Sequence, residues 1–144
     1  MDAAARDQLF VQIGLQQKLF TQGQLDDARR SAAPGRSLGE ALLDRGALSR
    51  EAYRGLDRAV TYRLGRDEDK RIAQIIVDSG YCSEARVEEA LRRQKDFYGK
   101  TGELLRIGSL LVEEGAMTDS QAMAAGKIYR IERTSNRPAP LDSA

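Results

Sequence analysis

Ala41-Leu42-Leu43-Asp44-Arg45-Gly46-Ala47-Leu48-Ser49 decides how this chain folds, because the same pattern is written four times. Ile13-Gly14-Leu15-Gln16-Gln17-Lys18-Leu19-Phe20-Thr21 lines up with it, as do Ile75-Ile76-Val77-Asp78-Ser79-Gly80-Tyr81-Cys82-Ser83 and Leu110-Leu111-Val112-Glu113-Glu114-Gly115-Ala116-Met117-Thr118. Before each central glycine (Lys18 in the first copy) apolar residues recur at a helical period, as in Phe10, Ile13 and Leu15 or Leu38, Leu42 and Leu43. Glycine there ends a helix in a left-handed conformation that a Cβ penalises. One or two apolar residues then fold over the corner. A hydroxyl residue follows where the next helix needs its N-cap, and Thr21 with Gln24 and Thr118 with Gln121 complete capping boxes. Each copy therefore reads as a helix–turn–helix hairpin. One hairpin cannot bury its own apolar face, so the copies must pack on each other.

The expected fold is all-α: four helix–turn–helix hairpins, about eight helices, packed as two pairs. The anchors at 18, 46, 80 and 115 are 28, 34 and 35 residues apart. Between the second and third runs the polar stretch Leu64-Gly65-Arg66-Asp67-Glu68-Asp69, which reads as a linker. This gives a first pair over 1–66, a second over 67–132 and a disordered tail over 133–144, where Pro138 and Pro140 sit among residues with little to bury. Lys18 predicts a first turn that is strained or made differently. Ile75-Ile76-Val77 is β-branched enough for a strand, but its place in the pattern favours helix.

The 144 residues suit one domain or two very small ones. Hydrophobic residues at 41% and charged residues at 31% describe a soluble globular chain. Aromatics are 6% and Trp is absent, which predicts an aliphatic, Ala-rich core. A net charge of +1 gives no general attraction to nucleic acid or anionic lipid. With one cysteine and no histidine, the chain cannot build an internal disulfide, a Ser-His-Asp triad or a His-ligated metal site. Cys82 stands where other copies have Phe20, Leu48 and Met117, so it reads as a small buried apolar residue. No signal peptide and no bilayer-spanning apolar run is written here, so a cytoplasmic protein without membrane insertion is expected. Glu88-Glu89 and Glu113-Glu114 fall on solvated helix faces, and Gly99-Lys100-Thr101 lacks the rest of a phosphate-binding loop. Neither catalytic nor metal-ligating residues are expected, and matched repeats argue against an enzyme.

Two arginines stand out. Arg71 precedes Ile72-Ala73 and Arg106 precedes Ile107-Gly108, each at the expected N-terminus of a helix. Free N–H groups and a planar guanidinium together suit a phosphate, and Ala73 and Gly108 leave room for a ligand to approach. Helix–turn–helix geometry also raises DNA. However, Arg86, Arg92 and Arg93 share their helix with Glu84, Glu88 and Glu89, which repel phosphates, so nucleic acid is disfavoured.

Leu38-Gly39-Glu40-Ala41-Leu42-Leu43-Asp44-Arg45-Gly46-Ala47-Leu48-Ser49 and Arg106-Ile107-Gly108-Ser109-Leu110-Leu111-Val112-Glu113-Glu114-Gly115 resemble the N-terminal domain of type II secretion and type IV pilus assembly ATPases, the GspE N-terminal or MshEN-like family. The likeness runs over about residues 8–130, with no nucleotide-hydrolysis motif in the chain. It implies a bacterial, non-enzymatic regulatory or adaptor module that docks on a protein partner, itself included, in a secretion, pilus or motility system. Phe97, Tyr98 and Tyr129 are the expected partner surface. The MshEN branch binds cyclic di-GMP through units that open Arg-Leu-Gly and close Leu-x-x-x-Leu-x-x-Gln. Arg106-Ile107-Gly108, Arg71-Ile72-Ala73 and Val87-x-x-x-Leu91-x-x-Gln94 stand in those places. The resemblance thus implies a second reading, a cyclic di-GMP receptor. In it Arg71 and Arg106 hold phosphates, Ala73 and Gly108 admit the ligand, and Gln94 bonds the guanine or the backbone.

Overall fold

The computed structural model describes residues 3–135. Among them there are seven helices and no strand: α1 Ala3–Gln16, α2 Gln22–Ser31, α3 Leu38–Asp44, α4 Arg50–Asp78, α5 Glu84–Thr101, α6 Ile107–Glu113 and α7 Asp119–Ser135. Ile75-Ile76-Val77 is helical, inside α4.

Four corners join these helices, and all four use the same two backbone bonds. At the second, Gly46 N–H donates to Leu43 C=O at 3.0 Å and Ala47 N–H reaches back to Leu42 C=O at 3.0 Å. Gly80 with Tyr81, and Gly115 with Ala116, repeat the pair. This double bond satisfies carbonyls that a helix end leaves orphaned, and it requires a left-handed residue. The three glycines oblige at φ of 74°, 75° and 74°. Lys18 makes the same corner at φ 56°, its N–H donating to Leu15 C=O at 3.1 Å and Leu19 N–H to Gly14 C=O at 2.9 Å. Of the two expectations for this turn, strain is the one found. A Cβ there costs about 1–2 kcal/mol.

The hydroxyl caps fall where the sequence puts them. Thr21 accepts from Gln24 N–H, Ser49 from Ala52, Ser83 from Arg86 and Thr118 from Gln121. Gln24 and Gln121 return bonds to the cap N–H groups, closing both expected boxes. A third box, unexpected, opens α3: Ser37 Oγ accepts from Glu40 N–H at 3.1 Å and Glu40 Oε1 accepts from Ser37 N–H at 3.0 Å.

The expected linker at 64–69 is helix. Residues on both sides belong to the single 29-residue α4, which lowers the count from about eight helices to seven. Nothing in Leu64–Asp69 forbids this. There is no proline, Arg and Glu are good helix formers, and one glycine costs only about 1 kcal/mol. Gly65 is buried, and the Leu104 side chain occupies the space its Cβ would need. Arg133–Ser135, expected in a disordered tail, are helical and close α7, and the rest of that expected tail, 136–144, lies outside the described residues.

The described residues divide into two compact units, with the boundary between Leu64 and Gly65. The first core gathers Phe10, Phe20, Leu25, Leu42, Leu48, Leu56 and Val60. It is aromatic as well as aliphatic, against expectation: Phe10 stacks on Phe20 with ring centres 6.3 Å apart and tilts toward Tyr53 at 6.0 Å. Few aromatics in the whole chain still suffice because they converge on one unit. The second core is aliphatic, built from Ile75, Ile76, Val87, Ile107, Leu110, Leu111 and Met117. Cys82 is half-buried against it.

Candidate functional site

The second unit contains a buried carboxylate that organises three helices. Asp69, on α4, is 1% exposed. Its Oδ2 accepts the Ile107 backbone N–H at 2.9 Å and the Gln94 side-chain N–H at 2.6 Å. Its Oδ1 accepts from Arg106 Nε at 3.0 Å and Nη2 at 2.8 Å. Arg106 Nη2 also donates to Glu68 at 2.6 Å. Arg106 occupies the N-cap of α6 and its side chain makes no cap bond. Asp69 supplies from α4 the acceptor that Ser37 supplies locally to α3.

Gln94 is fully buried and its amide is saturated. Nε2 donates to Asp69 and to Leu105 C=O at 2.7 Å, and Oε1 accepts from Arg66 at 3.2 Å. Burying a charge is tolerable only when it is paired and hydrogen-bonded this completely. Burial pulls the Arg106 pKa down, but the hydrogen bonds and charge of Asp69, then those of Glu68, outweigh it and raise the pKa above the ordinary arginine value. The guanidinium is a permanent cation, already paired with two carboxylates.

Beside this cluster an open groove of about 700 Å³ runs between α6 and α7. Ile72, Arg106, Gly108, Met123, Gly126 and Arg130 form much of its wall. A smaller hollow of about 310 Å³ continues along α7 past Ile131 and Thr134, and the two share Lys127 and Arg130. The two run on along α7 as a trough, its first part walled by α4 and α6 and its second lined by α7 alone.

The first unit holds the counterpart of this groove. Positions can be matched by counting from Lys18 and Gly80, and from Gly46 and Gly115. Phe10 then matches Ile72, Asp7 matches Asp69, Ser37 matches Arg106 and Gly39 matches Gly108. Phe10, Asp7, Ser37 and Gly39 line a cavity of about 450 Å³, and their matches line the larger groove. The volume differs for a visible reason. Tyr53 and Asp57 are matched by Ala122 and Gly126. The Tyr53 ring packs so close to Gly39 that a Cβ there would sit 2.8 Å from it. Asp57 accepts from Arg6, which also bonds Thr61 Oγ1 at 2.8 Å, strapping α1 to α4. In the second unit neither that ring nor that strap is present; Arg71 ties α4 to α7 through Glu132 instead, and the groove stands open.

The five nucleotide candidates fare differently. Arg106 and Gly108 share the groove. Gln94 lies behind it, saturated, touching it only through Asp69. Arg71 is not at a helix N-terminus. It lies within α4, because that helix is continuous, and it pairs with Glu132 at 2.7 Å. Ala73 is 4% exposed in the second core. A Cβ at Gly108 would sit an ordinary 3.7 Å from Ala122, so packing alone does not demand glycine there.

Of the expected partner surface, Phe97 and Tyr98 are half-buried on α5, and Tyr129 packs against the second core. Among the described residues the large apolar side chains standing in solvent are Met123, 73% exposed, and Ile131, 56% exposed, both on α7. Sequence reasoning passed over them. The available signal was phase: Ala122, Ala125 and Tyr129 mark the inward face of α7, and Met123 and Ile131 fall off it.

Among the described residues no group of three or more Cys, Asp or Glu is placed to hold a metal, and no helix is long and apolar enough to cross a membrane. No family model, no curated protein and no solved structure matches this chain.

Proposed function

We propose that this chain is a non-enzymatic adaptor that binds a protein partner through α7. The observation that carries the reading is the exposure of Met123 and Ile131 beside an open trough. Isolated exposed apolar residues are commonplace, but two on one stripe of one helix, flanking a concavity, describe an interaction surface. Fold organisation supports it. Four corners with one bonding pattern and grooves in matching positions favour four helical hairpins grouped as two pairs, one groove narrower and the other wider. The resemblance to secretion and pilus assembly domains points the same way, toward docking in a cytoplasmic machine. The test is photo-crosslinking from α7 in the native cell, followed by the same experiment with Met123→Ser and Ile131→Ser. A specific partner lost in both variants supports the function. Absence of any crosslinked protein rejects it.

A second reading has its own support: Arg106 and Gly108 line the same groove, as a cyclic di-GMP receptor of the resembling family would require. Binding would have to pull Arg106 partly away from Glu68 and Asp69. Calorimetry decides this. Micromolar heat with cyclic di-GMP that vanishes in Arg106→Ala supports the receptor, and no heat at millimolar ligand removes it.

A further inference from the structure

We infer that the trough along α7 seats an acidic amphipathic helix of another protein, an inference that rests on the adaptor reading above. Met123, Lys127 and Ile131 succeed one another at four-residue spacing, so they form a single stripe about 12 Å long. Its ends are apolar and its middle is cationic. Arg130 adds a second positive charge and lines both hollows with Lys127. Among the described residues neither cation takes part in an ion pair, whereas Arg71, Arg93 and Arg106 of the same unit are all paired with carboxylates. Glu68 and Asp69 also line the groove, but Arg106 takes up both, so the α7 side of it is greasy and positive.

The shape selects the occupant. Ser120 and Ser135, at the two ends of the trough, are about 22 Å apart along α7, the length of four helical turns. A helix laid in such a channel presents apolar residues at i, i+4 and i+7 to Met123, Ile131 and Ile72. Glutamates or aspartates on its flanks meet Lys127 and Arg130. A lipid surface does not fit, because membranes take up convex amphipathic faces and this one is hollow. A second copy fits poorly too. Pairing α7 with α7 would bring Lys127 and Arg130 of both copies into one channel, and like charges there oppose docking.

The matched groove of the first unit sharpens the argument. Tyr53 and the Arg6–Asp57 strap narrow it, and Arg54 stands at the position matched by Met123. Where the groove is narrowed, the outer position is charged. Where it is open, the outer position is a bare methionine. The apolar exposure and the concavity occur together, as an insertion site requires.

The probe is a stapled 16-residue helix with leucines at i, i+4, i+7 and i+11 and glutamates on both flanks. A control carries lysine at every glutamate. Both are titrated into the isotopically labelled full chain and followed by amide NMR. The inference expects the acidic helix to shift resonances of 119–135 and to bind at least tenfold more tightly than the control. Met123→Ser with Ile131→Ser, both exposed, should leave the spectrum of the remaining helices in place and weaken binding at least tenfold. Equal binding of the two peptides, shifts confined to other helices, self-association abolished by Met123→Ser, or α7-dependent binding to anionic phospholipid vesicles with none to the peptide would each overturn it. A partner that crosslinks to α7 through a loop or basic segment overturns the acidic helix and leaves the adaptor standing. Finding no partner at all removes the adaptor as well.

Discussion

Asp69 Oδ2 accepts the backbone N–H of Ile107 at 2.9 Å across a sequence separation of 38 residues. The first helical N–H of α6 is thus satisfied from another helix. Its local cap position holds Arg106, which turns its guanidinium onto the same carboxylate.

Asp69→Ala is expected to destabilise the protein by about 3 kcal/mol, because it leaves Gln94, Ile107 N–H and Arg106 without their shared acceptor. For a chain of this size that lowers the thermal midpoint by roughly 10 °C. Asp7→Ala removes the residue matched to it in the first unit, where Ser37 caps α3 locally. That change should stay within about 0.5 kcal/mol. Calorimetric melting of the two variants is the check, and equal losses would contradict the assignment.

Lys18→Gly should stabilise the fold by about 1 kcal/mol. Lys18 is the sole non-glycine at positive φ among the described residues, and its corner makes the same bonds as the glycine corners. The gain from relieving the Cβ exceeds the added freedom of the unfolded chain. A higher urea midpoint with unchanged slope would confirm it.

Two glycines of α4 should respond differently. Gly55 is exposed with open space where its Cβ would go, so Gly55→Ala should stabilise by about 0.5–1 kcal/mol. Gly65 faces Leu104, and Gly65→Ala must displace that side chain at about 1–3 kcal/mol, which cancels or exceeds the same helical gain. Paired denaturant melts give the difference directly.

Glu40 should titrate below the usual glutamate range. The Ser37 backbone N–H is the main cause, followed by the Ser37 hydroxyl and, more weakly, the charge of Arg36. A carboxylate whose pKa is depressed by folding contributes stability above its unfolded pKa and loses it as pH falls through the folded one. The α3 box should therefore loosen only on acidification below the ordinary value of 4.5. An NMR titration of the Glu40 carboxyl, repeated in Ser37→Ala, reads this. Ser37→Ala keeps the backbone N–H and loses only the hydroxyl, so the midpoint should rise part of the way, and an unchanged midpoint would contradict the hydroxyl's share.

The corners were legible because their chemistry is local. A glycine, two apolar residues and a hydroxyl within four positions specify both the left-handed turn and the next cap. Ser37-x-x-Glu40 is equally local and was missed. The continuity of α4 was not local. Leu64–Asp69 has the composition of a linker, and what holds it helical includes Leu104 on Gly65 and the bonds of Asp69 to α5 and α6. The same reason hid the role of Gln94: a glutamine on a helix reads as a polar face until its three partners are known. Arg71 was misplaced because the helix start assumed before it does not exist.

The two short seven-residue helices, α3 and α6, begin by different routes, and this orders events as the chain folds. Ser37 and Glu40 travel with α3, so a bare peptide spanning it carries its own start signal and samples helix early. The segment of α6 lacks one. Its first turn must await the arrival of Asp69, so that turn and the docking of α4 form in a single late step.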